Sequence, residues 1–139
     1  ISRICWEYFE KEILICLVVK KIIHKKWYSE SFHQSGELEL KVDKTLSYFS
    51  YICYLKRQKI ITDKEFDFFK YEVERILMNQ QVQDYFYNLY YFSKKFKTPR
   101  TFKYLFEYGK KGEMFDDDFY DKNAYEKNKK YHRYLNFWQ

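Results

Sequence analysis

The sequence predicts an all-α protein, a single compact bundle of five or six helices spanning residues 1–139 as one domain. Three observations lead there. Apolar residues recur at three- and four-residue steps over most of the chain, the period of one helix face. Only three Gly and one Pro occur in 139 residues, too few of the residues that hairpins and tight β-turns require. Thr62 followed by Glu65, directly ahead of an apolar stripe, is a helix-entry signal. A chain of this length buries roughly two thirds of the surface its unfolded form exposes, so no disulfide or metal is needed for folding.

Each element follows from the residues in turn. Between Arg3 and about Trp27, the residues Ile4, Cys5, Tyr8, Phe9, Cys16, Val19, Ile22 and Ile23 keep helical spacing and predict one long amphipathic helix. The stretch "SESFHQSG", Ser29 to Gly36, breaks it. "ELELKV" then alternates like a strand, but Leu46, Phe49, Tyr51, Ile52 and Leu55 return to helical steps, so a second helix is expected over 38–58, with a short strand as the alternative. Thr62 and Glu65 form a capping box that opens a third helix, whose stripe is Phe66, Phe69, Val73, Ile76 and Leu77. "MNQQ" interrupts it before a fourth, aromatic helix. Thr98 as N-cap and Pro99 at the first helical position predict a fifth, ending at Tyr108 with Gly109 as its stop. A loop is expected to follow, and a last, weaker helix over residues 123–138.

The aromatic helix, "QDYFYNLYYFSKKF", has two faces. Val82, Tyr85, Phe86, Leu89, Phe92 and Phe96 fall within a sector of roughly 120°, the width of a buried stripe. Tyr87, Tyr90 and Tyr91 point the other way, where a surface helix normally carries Lys, Glu or Gln. Tyr joins a large apolar ring to a hydroxyl that can still be satisfied, and it is enriched where surfaces meet. Either the chain covers these three rings itself or they form the contact of a homo-oligomer.

The net charge of +6 is concentrated locally. Lys94, Lys95, Lys97, Arg100, Lys103, Lys110 and Lys111 face a single acid, Glu107, within residues 94–111. Interleaved with Phe96, Phe102, Tyr104 and Phe106, they suit phosphates with rings stacked on unpaired RNA bases, or an anionic membrane surface, or only solvent. Asp116, Asp117, Asp118 and Asp121 lack the EF-hand pattern and read as caps of the last helix rather than metal ligands. No metal site and no cofactor is expected: Walker, Rossmann, G-x-S-x-G and H-x-x-x-H patterns are all missing. Cys5, Cys16 and Cys53 are odd in number and unpaired by spacing, which suits a reducing compartment. The longest apolar run, "ILICLVV", has seven residues against the about 20 that a membrane span requires. The sequence begins Ile-Ser-Arg, which leaves a removed signal, anchor or tag open. For acid–base chemistry the candidates are His132 with Lys127 or the adjacent Arg133.

The segment from Leu46 to Phe96, with its "IITDKEF" entry between a basic helix end and an aromatic helix, resembles small helical bacterial proteins that follow one N-terminal membrane helix. Among these is the accessory protein family of type VI-B CRISPR systems in Bacteroidetes. The resemblance implies an oligomeric, membrane-associated accessory factor in antiphage defence, in the bacterial cytoplasm or on the cytoplasmic face of the inner membrane, with a partner protein and a divergent HEPN-type bundle. That family's Arg-x(4–6)-His motif does not occur here. The expectation is therefore a non-catalytic, self-assembling helical protein, with a degenerate HEPN-like ribonuclease or an RNA-binding module as the alternative.

Overall fold

The computed structural model describes residues 18–28, 32 and 36–115. They are helical throughout, with no strand among the described residues. Residues 18–24 form α1; four helices follow, α2 (Glu37–Arg57), α3 (Asp63–Leu77), α4 (Gln80–Phe96) and α5 (Lys103–Lys111). The N-terminal part of the first expected helix and the whole of the last lie outside the described residues.

The strand-like alternation of "ELELKV" gives way to helix. Val42, Leu46, Phe49 and Cys53, at steps of four, three and four, are buried and form the stripe that α2 turns inward. Glu37 and Glu39 in its first turn and Lys56 and Arg57 in its last oppose the helix dipole. The exit is a Schellman closure: the Lys59 N–H donates to the Lys56 carbonyl and the Ile60 N–H to that of Leu55, both 3.0 Å. Lys59 takes the left-handed conformation, φ 58°, where Gly is the usual choice. The capping box then starts α3 as expected, the Glu65 N–H donating to Thr62 Oγ1 and the Thr62 N–H to Glu65 Oε1, each 3.1 Å. It contributes about 1 kcal/mol. Phe66, Val73, Ile76 and Leu77 are buried from the predicted stripe. The outer face of α3 leaves Phe68 84% exposed, beside exposed Tyr71 and Met78.

Asn79 makes the break between α3 and α4. Its side-chain oxygen accepts from the Gln81 and Val82 N–H groups at 3.0 and 3.2 Å. Gln83, buried, donates to the carbonyls of Leu77 and Met114, so one amide fastens the end of α3 to the residues after α5. Gln81 does the same for the segment after α1: its carbonyl accepts from the Trp27 and Tyr28 N–H groups, and its amide donates to the Lys25 carbonyl. Trp27, Tyr28 and Phe32 thereby pack around Tyr85, with Phe32 edge-on at 5.1 Å.

Two boundaries differ from the sequence reading, both of α5. Thr98 and Pro99 do not begin α5. The Thr98 N–H is held by the Ser93 carbonyl, and Lys97, left-handed at φ 54°, closes α4. The chain continues as a loop until Phe102 reaches the core, stacked on Phe86 at 5.9 Å. The Leu105 N–H in the first turn of α5 is taken by Ser50 Oγ of α2, at 3.3 Å. Gly109 does not end the helix either. The left-handed residue is Glu113, φ 52°, in a second Schellman closure at Gly112. Phe96, expected in the core, is 43% exposed; the side chain of Phe92 lies outside the described residues.

Gly109 is required for space rather than for φ. A Cβ there would lie 2.6 Å from Cζ of buried Phe115. Gly109→Ala is expected to lose about 1 kcal/mol, because overpacking of about 1–3 kcal/mol exceeds the about 1 kcal/mol gained in helix propensity. Phe115→Leu in the same chain restores most of it by making room. At Gly112 the obstacle is the mobile Cε of Met114, so Gly112→Ala should be close to neutral. Chemical denaturation of the four chains checks the contrast.

Candidate phosphate-binding cleft

The Tyr face that the sequence nominated for oligomer contact is closed by the chain itself at two of its three positions. Tyr87 is 2% exposed and belongs to the interior. Tyr90 is half-buried, its ring parallel to that of Phe106 at 6.0 Å. Tyr87 is thus a buried residue rather than a surface one, and Tyr90 is half covered by Phe106 of α5. The side chain of Tyr91 lies outside the described residues.

Of the seven basic residues, the five whose side chains are described do not form one patch. Arg100 lies over the rings of Tyr90 and Phe106, at 5.0 and 5.1 Å from their centres. Phe106 is on one face of α5; Tyr104 and Tyr108, two residues to either side, project roughly 160° away. Lys111 is on their side, and Lys103 holds its ammonium 5.8 Å above the Tyr104 ring. Lys97 and Lys110 are exposed; the side chains of Lys94 and Lys95 are outside the described set. His132, Arg133 and Lys127 lie outside the described residues, as does the acidic run from Asp116.

The second face of α5 meets the end of α2, and a cleft of about 440 Å³ opens between them. Cys53, Lys56 and Arg57 line it from α2; Tyr104, Glu107, Tyr108 and Lys111 line it from α5. The packing beneath is aromatic: Phe66 lies 5.3 Å from Tyr108, and Tyr54 lies 4.9 Å from Tyr104. The Lys56 ammonium stands 5.1 Å over Phe66 and 5.8 Å over Tyr108, and the Arg57 guanidinium 5.8 Å from the centre of Tyr104. Such contacts hold cations above rings without neutralising them. Arg57 donates to the Glu107 carboxylate across the cleft. Lys56 has a long 3.9 Å pairing with Asp63, whose carboxylate is almost fully exposed, an arrangement worth little in water. Within the lining, Lys56, Arg57 and Lys111 stand against Glu107 alone.

Lys56 and Arg57 were missed as site residues because their position at a helix C-terminus is explained by the dipole. The available signal was "LKRQK", three cations in five residues.

Burial pushes the Cys53 thiol up to about 12, with Lys56 opposing, which keeps it protonated near neutral pH. Tyr108 is also pushed up to about 12, by burial and then by Glu74, Cys53 and Asp67. The lining holds no His. Among the described residues no three His, Cys, Asp or Glu side chains are placed to hold a metal ion. No described helix is long and apolar enough to cross a membrane.

One carboxyl away from the cleft is shifted towards neutrality. Asp43 on α2 accepts from the Tyr85 hydroxyl at 2.6 Å. Burial pushes its carboxyl up to about 6; the Tyr85 hydrogen bond opposes this and Glu39 adds to it. Burial, and the Asp43 charge after it, push the Tyr85 hydroxyl upward. Since the folded chain binds the Asp43 proton more tightly than the unfolded one, this group's contribution is most favourable below about 4 and is lost as pH rises to about 6. Asp43→Asn is therefore expected to be more stable than the parent at pH 7, with the difference closing towards pH 4. Paired thermal melts across that window check the sign.

Comparison with protein-family models, with curated proteins and with solved structures finds no match to this chain.

Proposed function

We propose that this protein is a non-catalytic helical binding protein that engages a phosphate-bearing partner through the cleft between α2 and α5. The observation that carries the reading is the convergence of Lys56, Arg57 and Lys111 beside Tyr104 and Tyr108. Cations set over rings favour an anionic ligand with a flat apolar part, and the lining offers no pair of groups for proton transfer near neutral pH. The resemblance of residues 46–96 to accessory proteins of antiphage systems supports placing this binding role in defence, as a partner of an effector rather than as the effector.

The experiment is direct titration of the purified chain against a fluorescein-labelled single-stranded RNA and against vesicles containing phosphatidylserine, at low and high salt. Binding that weakens as salt rises, without cleavage of the RNA, is the expected result. RNA cleavage would favour the ribonuclease alternative, and failure to bind either ligand at low salt would remove the reading.

A further inference from the structure

We propose that the cleft holds one nucleotide of a single strand of RNA, its base against Tyr104 and Tyr108, and that Glu107 occupies the phosphate position on Arg57 until the strand displaces it. This rests on the cleft being the binding site. Concavity separates RNA from membrane. A bilayer presents a plane of headgroups and selects cations on a flat or convex face, whereas these cations line a recess of about 440 Å³ whose side walls are rings. An unpaired base, extruded from its strand, is the flat aromatic group that such a recess takes, and base stacking is tolerant of sequence.

Glu107 is the informative side chain. It is the only acid in the lining, and its carboxylate accepts from Arg57, the one cation there whose planar fork matches both carboxylate and phosphate. The pair bridges the two helices at the mouth of the cleft, with Arg57 58% and Glu107 36% exposed, so an entering phosphate can reach it. Lys56 and Lys111 are not engaged by this carboxylate, and they hold the phosphate while the exchange occurs. Arg57 stays near Tyr104 in either state, because an anion binds the in-plane N–H edge of the guanidinium and leaves its faces for ring contact. Glu107 thus lowers affinity and raises selectivity: an isolated weak anion gains no more from Arg57 than Glu107 already provides, and only a ligand that also fills the aromatic recess overcomes the competition.

The test is the affinity of the full chain for a fluorescein-labelled single-stranded RNA, by fluorescence anisotropy, in the parent and in Glu107→Gln. Removing the competing charge should tighten binding roughly three- to fivefold, the scale of one partly exposed ion pair. It should leave stacking intact, seen as unchanged quenching of the cleft tyrosines by the strand. Glu107→Asp, whose shorter side chain weakens the same pair while keeping the charge, should give a smaller change of the same sign and serves where Glu107→Gln lowers the folded fraction. Equal or weaker binding by both, against a parent that binds RNA, overturns the competitor role while the cleft remains a binding site. A parent that binds phosphatidylserine vesicles and not the strand overturns the choice of RNA. A parent that binds neither removes the cleft reading and this inference with it.

Discussion

Tyr85→Ala is expected to lower the stability of the fold by about 3–5 kcal/mol, the range for truncating a buried aromatic. Tyr85 is 2% exposed at the middle of α4. It touches elements that reach it from different parts of the sequence: Trp27, Tyr28 and Phe32 from the segment after α1, Phe102 from the approach to α5, and Asp43 from α2 through its hydroxyl. The cavity left behind is bordered by rigid rings, which close poorly over a void. Tyr85→Phe separates the two contributions. It keeps the ring and removes the donor from a partly buried carboxylate, so its loss should be about 1–3 kcal/mol and greatest where Asp43 is ionised, above pH 6. Chemical denaturation of the parent and both variants at pH 5 and pH 7.5 measures both. Exposed Phe68, the most accessible large apolar residue of α3, is the contrasting position, where Phe68→Ser should change stability by no more than about 0.5 kcal/mol.

The helices were legible in the sequence because their determinants are local. The capping box of Thr62 and Glu65 needs only three residues of spacing, and the stripe of Phe66, Val73, Ile76 and Leu77 shows its buried face without reference to the rest of the chain. What was misread depends on distant residues. Thr98 and Pro99 carry every local mark of a helix start, but Phe102 must reach Phe86 before α5 can begin. Gly109 looked like a terminator and is instead the gap that admits Phe115. The end of α2 was found at Gln58, but that of α5 was hidden because its left-handed residue, Glu113, is neither Gly nor Asn. The cleft was only partly legible: Lys111 was found as a member of a basic run, while Lys56 and Arg57, whose partner Glu107 lies fifty positions along the chain from Arg57, were not. The Tyr face was correctly singled out as unusual. Its explanation at Tyr87 and Tyr90 is internal packing, which a helical wheel cannot distinguish from a subunit contact.

The second large effect falls on binding. A chain carrying Lys56→Gln, Arg57→Gln and Lys111→Gln is expected to bind single-stranded RNA about 10- to 100-fold more weakly than the parent at moderate salt, because the three cations together hold the backbone phosphate in the cleft and release its counterions. The loss should exceed what charge alone predicts, since Glu107 then stands in the cleft without Arg57 to neutralise it. Lys97→Gln with Lys110→Gln removes two exposed cations that do not line the cleft. That control should weaken binding by less than about threefold, the level of diffuse attraction to a chain of net charge +6. Thermal melts of both variants establish that the fold survives, as expected for substitutions at exposed or partly exposed positions.

The salt dependence of RNA binding, compared between the parent and the three-site cleft variant, tests the central claim most directly. For a site in which Lys56, Arg57 and Lys111 meet the strand, the logarithm of affinity should fall against the logarithm of salt with a slope of about −0.7 for each phosphate the cleft neutralises, and the slope should drop towards zero in the variant. A slope that is the same in parent and variant would place the anion contacts elsewhere on the molecule and contradict the cleft.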